Sequence, residues 1–181
     1  ARLGIEQMNS EVEISNSIIR WSNSEGLYAE RSSPIFRNNL LYSNAYHEIA
    51  LEQYNENVII QNNIFRDGIV GVHHEKTEAS LMDNYFKDYR EYAITAGMES
   101  NLQIIGNKFE NVTYEPPYHI YDSEAVIENN DFGDGSVPTP VLDFSDNVNF
   151  DLGYIPGDRN DRYMYIYDNE DETRRVVKKT G

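Results

Sequence analysis

Arg66-Asp67 and Lys87-Asp88 each set a cation beside a carboxylate, and Glu110-Asn111 and then Asp134 continue the series at nearly even steps. If the chain coils with that period, Asp67, Asp88, Asn111 and Asp134 stand in one file of oxygen ligands, the donor type that suits Ca2+. Arg66 or Lys87 beside the file would then be the candidate base. The competing reading is ion pairing, in which each basic side chain neutralises the carboxylate next to it.

A second cluster lies in GVHHEKTE, which begins at residue 71 and holds His73, His74 and Glu75. Histidine is a frequent acid-base group, so His73 and His74 are candidate catalytic residues. Adjacent side chains of an extended chain point to opposite sides, which argues against a shared metal and for solvated histidines in a loop after a strand. Aromatic residues form a third group. There are 14 tyrosines and one tryptophan; Tyr85, Tyr89 and Tyr92 crowd one stretch, and Tyr114, Tyr118 and Tyr121 the next. An exposed ring can stack on the apolar face of a sugar while its polar tip bonds a hydroxyl. On that ground Tyr85, Tyr89, Tyr92, Tyr114, Tyr118 and Trp21 are candidate carbohydrate-binding residues, against the plain alternative that tyrosine favours strands.

The elements that position these groups are read from a repeat. The segments ISNSII at 14, FRNNLL at 36, IQNNIF at 60, LMDNYF at 81, IIGNKF at 104 and IENNDF at 127 recur at intervals of 22, 24, 21, 23 and 23 residues. Six copies at a near-constant period predict a solenoid, each repeat one coil stacked on the last. Val12, Pro34, Val58, Ala79, Leu102 and Ala125 form one inward column. Ile14, Phe36, Ile60, Leu81, Ile104 and Ile127 form the next, at strand period. Asn16, Asn38, Asn62, Asp83, Gly106 and Asn129 are the types that most readily enter the left-handed backbone region, so a turn is expected there. Ser17, Asn39, Asn63, Asn84, Asn107 and Asn130 follow, and a buried asparagine in each coil can bond its copies above and below. Ile19, Leu41, Phe65, Phe86, Phe109 and Phe132 return to the core. A second apolar strand precedes each motif, as in GLYA at 26, EIAL at 48, GIVGV at 68, YAITA at 92 and YHIY at 118.

These features resemble the right-handed parallel β-helix of the pectate lyase superfamily, with its asparagine ladder and stacked aliphatic and phenylalanine rows. The resemblance covers roughly residues 3 to 134 and implies an all-β solenoid of about six coils. A leucine-rich repeat lacks support, because its spaced leucines are absent. The superfamily spans lyases, glycoside hydrolases, epimerases, phage tailspikes and non-catalytic surface proteins, so the resemblance is weak for function. It implies, for the acidic file, calcium bridging to an acidic sugar, as in a polysaccharide (uronate) lyase or epimerase. Its glycosidase and epimerase signatures, among them Gly-His-Gly, Arg-Ile-Lys and Asp-Pro-His, do not occur. The leading expectation is therefore a non-catalytic segment of an extracellular or cell-surface protein that binds polysaccharide or forms a rigid stalk.

Composition narrows the partners. The chain has 181 residues, 15 Lys and Arg against 31 Asp and Glu, and a net charge of −16, which argues against nucleic acid or an anionic membrane as a direct partner. There is no cysteine, hence neither a disulfide frame nor a thiolate metal site. No apolar run approaches the ~20 residues of a membrane span.

GIEQMNSEVEIS at 4 reads as the later part of a coil, so residues 1–134 are expected to be a segment of a longer solenoid. Upstream coils or another chain would then meet the open N-terminal end, and self-assembly by end stacking is the structural alternative. Residues 135–181 form a tail, with RYMYIYD as a strand and DETRRVVKKTG as a short helix. Ile35, Ile59, Met82, Ile105 and Val126 point outward as apolar surface. Either the tail, led by Val141, Leu142 and Phe144 or by YMYIY, or a docking partner is expected to cover them.

Overall fold

The computed structural model describes residues 3–142 and the backbone of two further strands, 163–168 and 173–178. Strands are numbered in chain order and stack into three parallel sheets, one per side of the coil. Sheet A holds β1 (Ile5–Met8), β4 (Leu27–Glu30), β7 (His47–Glu52), β10 (Val70–Glu75), β13 (Ile94–Gly97) and β16 (Tyr118–Ile120) in that order. Sheet B holds β2 (Glu13–Ser15), β5 (Ile35–Arg37), β8 (Asn55–Gln61), β11 (Thr77–Met82), β14 (Asn101–Ile105) and β17 (Glu124–Glu128). Sheet C holds β3 (Ile18–Arg20), β6 (Leu40–Tyr42), β9 (Ile64–Arg66), β12 (Tyr85–Tyr89) and β15 (Lys108–Val112). The chain thus makes five full turns, and a sixth ends in a single bridge between Lys108 and Asp131 where its third strand would lie.

The inward columns expected from the repeat lie in register through the middle coils, while at the two ends Val12 is 44% and Phe132 54% exposed. Val58, Ala79, Leu102 and Ala125 align across sheet B, as do Ile14, Phe36, Ile60, Leu81, Ile104 and Ile127. Behind sheet C, Phe65, Phe86, Phe109 and Phe132 stack ring on ring, with centroids 4.9, 5.3 and 5.4 Å apart. The core of sheet A is aliphatic over Leu27, Ile49, Val72 and Ile94.

Each coil bends at corners held by left-handed residues. Asn16, Asn38, Asn62, Asp83, Gly106 and Asn129 all have positive φ, as the sequence predicts. Beside them the amides form a continuous row: Asn39 Nδ2 donates to Asn63 Oδ1 at 3.1 Å, and Asn63 to Asn84 and Asn84 to Asn107 at 3.0 Å each. Asn107 donates to Asn130 at 3.1 Å. A second polar row at another corner has no obvious repeat in the sequence. There the backbone N–H groups of Ser32, Thr77 and Ser100 donate to side-chain oxygens of Asn55, Ser100 and Ser123. Hydroxyls and one amide do the same work, so residue identity varies while the bonding does not.

One tail expectation is corrected, and most of the other lies outside the described residues. The expected helix in DETRRVVKKTG gives way, over residues 173–178, to a strand: β19 (Thr173–Lys178) pairs antiparallel with β18 (Tyr163–Asp168), consistent with its β-branched Thr173, Val176 and Val177. Val141 is 87% exposed and covers nothing, while Phe144 and the side chains of YMYIY lie outside the described residues. The chain divides into two compact units, Ala1–Leu142 and Asp143–Gly181. The outward apolar residues also fall in two files. Ile35 and Ile59 align with Ser80, Gln103 and Val126, whereas Met82 and Ile105 align with Arg37, Gln61 and Glu128, so polar residues interrupt both.

Candidate functional site

The basic file expected to supply a catalytic base lies on the outer face of sheet C, where Arg20, Tyr42, Arg66, Lys87 and Glu110 share one register. Its groups satisfy one another. Lys87 Nζ is 2.8 Å from Glu110, Tyr85 donates to the same carboxylate at 2.6 Å, and Arg66 Nε bonds Asp67 at 2.8 Å. Arg20 lies 4.1 Å over the Trp21 ring and Arg66 5.4 Å from the Tyr42 ring. The hydrogen bond to Glu110 holds Lys87 above its ordinary pKa, so it stays protonated and is a poor base.

The acidic file has a backbone explanation. Trp21, Ser43, Asp67, Asp88 and Asn111 all have positive φ and form another left-handed corner. Aspartate and asparagine tolerate that conformation, so their recurrence follows from the turn rather than from a cation. Asp67 bonds Arg66, Asp88 accepts from Asn111 at 3.0 Å, and Asp134 accepts from the Ser136 N–H at 2.8 Å. Among the described residues no three His, Cys, Asp or Glu converge on a metal position.

Of the aromatic candidates, three are withdrawn. Tyr89 is 1% exposed, with its ring packed on Phe86. Tyr85 is buried, its hydroxyl committed to Glu110. Tyr118 falls in the inward column beyond Ile94 and packs on Phe132. Trp21 is half-buried and already stacked by Arg20. Tyr92 and Tyr114 remain, with centroids 4.7 Å apart, and His119 lies 5.2 Å from Tyr92.

His119 is on the outer face of sheet A, and Tyr92 and Tyr114, in the connections that precede β13 and β16, adjoin it. Along it Tyr28, Ala50, His73, Thr95 and His119 stand in one file. His73 and His74 are in strand β10, not in a loop, and they do point to opposite sides. His73 faces outward, its Nδ1 2.8 Å from Thr95 Oγ1 and its Nε2 3.4 Å from Glu75. Ala50, opposite it, presents only a methyl group, and the His47 ring stacks on His73 at 4.9 Å and 14°. Tyr46 meets the other side of His47 edge-on at 5.2 Å, and Glu25 approaches its Nδ1 at 3.7 Å. Further along, Tyr121 lies over Gly97, where a Cβ would stand 2.2 Å from the ring, and 5.5 Å from His119. At the opposite end the Tyr28 hydroxyl sits between Glu30 and Glu52 at 3.3 and 3.2 Å. Desolvation and then those two carboxylates raise its pKa. A shallow depression lined by Gly4, Glu6, Ser24, Glu25, Tyr28 and Glu30 continues this face over β1 and β4.

His74 points into the core, fully buried, with its Nδ1 3.2 Å from the Thr95 carbonyl and no room for substrate. Burial lowers its pKa to about 3. Glu48 is also interior, bonded by Asn44. Burial is the largest influence on its carboxyl, which is pushed up to about 8. Gly68 makes room for this group: a Cβ there would stand 2.6 Å from the Tyr89 ring and 3.0 Å from Glu48 Oε1. Sequence reading placed Glu75 beside His73 but missed His47, Thr95, His119 and Glu25. The signal was present in the strand preceding each motif, whose outward position reads Tyr28, Ala50, His73, Thr95, His119 once the coils are set in register.

Comparison with curated proteins and with solved structures finds no match. A family model described as the right handed beta helix region matches residues 3–152, in agreement with the three parallel sheets and the amide row. The chain belongs to this right-handed β-helix family.

Proposed function

We propose that the protein is a non-catalytic carbohydrate-binding β-helix segment whose binding surface is the outer face of sheet A. The observation that carries this reading is the set of rings on and beside that face: Tyr46, His47 and His73 in one group, and Tyr92, Tyr114, His119 and Tyr121 in another. Tyr114 and Tyr121 are 47% and 40% exposed, so ring surface is open to a ligand. Stacked parallel strands set side chains about 4.8 Å apart, which suits a linear polymer lying along the solenoid axis. Aromatic faces would take the apolar faces of the sugar rings, while carboxylates and imidazoles accept or donate to hydroxyls. A polysaccharide ligand implies an extracellular or cell-surface setting.

The uronate lyase or epimerase alternative receives less support, because its candidate base and ligands are spent on ion pairs and on a backbone corner. Titration calorimetry against a panel of soluble glycans, with Tyr92→Ala/Tyr114→Ala as the control, tests the binding proposal. Product formation from polygalacturonate or alginate in the presence of calcium would replace it with the catalytic reading.

A further inference from the structure

Resting on the glycan reading, we infer that the sheet A face takes an uncharged glycan and excludes polyuronates. The six strands of sheet A contain neither Lys nor Arg. Recognition of a chain of carboxylates calls for such cations, usually as forked or point-charge donors. At the corner with sheet B, Arg31 pairs with Glu30 and Lys76 Nζ bonds the Tyr54 hydroxyl at 3.3 Å; on the sheet C side the exposed Arg90, two residues before Tyr92, is one cation against the carboxylates described next. His47 does not replace them. His47 is neutral at physiological pH, because burial and the neighbouring His73 lower its pKa to about 4. His73 is bracketed by Thr95 and Glu75.

The charge that does face outward has the wrong sign for a uronate. Glu6, Glu25, Glu30, Glu52 and Glu75 lie on or beside the same face, and a polyanion laid along it would meet like charge in successive coils. Most of these carboxylates already have partners. Tyr28 lies between Glu30 and Glu52, His47 and Ser24 meet Glu25, and His73 meets Glu75. A neutral hydroxyl can still donate to an oxygen's remaining lone pair.

The test uses the full 181-residue chain. Xylan, mannan, galactan and β-glucan oligosaccharides, polygalacturonate, alginate and chitosan oligosaccharides are titrated with and without calcium, on the wild type and on Tyr92→Ala/Tyr114→Ala. The expected result is binding to a neutral glycan that weakens at least tenfold in the double variant and changes less than twofold between low and high salt. Polyuronates are expected not to bind in either calcium condition. Uronate or chitosan binding that the double variant loses would overturn the charge inference and leave the glycan reading standing. Absence of binding to every glycan, or binding that the double variant leaves unchanged, would overturn both. A matching urea midpoint for the two proteins ties the loss to the face rather than to unfolding.

Discussion

The outer faces of sheets A and C are built by the same coils yet spend their side chains differently. On sheet C, cations alternate with aromatic and acidic groups, and each finds a partner beside it or in a neighbouring coil: Lys87 with Glu110, Arg66 with Tyr42 and Asp67, Arg20 with Trp21. On sheet A, His47 stacks on His73 and the rings of Tyr92, Tyr114 and His119 pack at a tilt, with ring surface left toward solvent. The interiors differ too. A stack of phenylalanines backs sheet C, whereas Glu48 and His74 are buried behind sheet A. A face that satisfies itself stabilises the solenoid; a face with open rings and acceptors has something left for a ligand.

The largest expected effect comes from removing what backs sheet C. Phe86 lies between Phe65 and Phe109, so Phe86→Ala should cost about 3–5 kcal/mol in urea unfolding, a core cavity in a continuous stack. A loss below about 1 kcal/mol would show that the stack relaxes around the gap. Next, the paired Tyr92→Ala/Tyr114→Ala substitution should weaken glycan binding tenfold or more, since each ring offers both apolar area and an oriented face.

The interior of sheet A gives a pH signature. Unfolded histidines titrate at 6.5, but folded His47 and His74 do so at about 4 and 3, chiefly because of burial. The unfolded chain therefore binds more protons below pH 6.5, and stability falls as pH drops toward those values. Glu48 works in the opposite sense: the folded carboxyl keeps its proton up to about pH 8 against an ordinary 4.5, so its contribution is lost as pH rises through that window. Two histidines outweigh one glutamate on the acid side, placing the maximum in Tm for these groups near pH 6.5. Glu48→Gln should flatten the decline between that point and pH 8, and an unchanged alkaline limb would discount the buried carboxyl. The smallest effect belongs to sheet C. Lys87→Ala removes an exposed ion pair and should leave both Tm and glycan binding where they were; a lost binding signal would move the site to that face.

How much of this was legible in the sequence follows from repetition. The inward columns, the Asn62-type corner and the amide row recur because stacking imposes the same demand on every coil. The outer file of sheet A recurs in position but not in type, running from tyrosine through alanine, histidine and threonine to histidine. No pattern search for a residue type finds it; only the strand register assembles it. Asp67 and Asp88 show the opposite failure. A backbone requirement selected the same residue types that a cation would, and sequence alone does not separate the two demands. Tyr89 misled because the left-handed Asp88 breaks strand alternation and turns its ring inward, whereas His74 obeys the alternation and puts a polar ring at an inward position.

The asparagine row also has a sense. Each side-chain amide from Asn39 to Asn107 donates to the coil that follows and accepts from the coil before, so the dipoles align head to tail along the axis. Such a row ends in unlike poles, a carbonyl oxygen facing one way and an amide N–H the other. A neighbouring unit could extend it only in the same direction, so two copies meeting through a twofold axis would bring like poles together and break the chain of bonds.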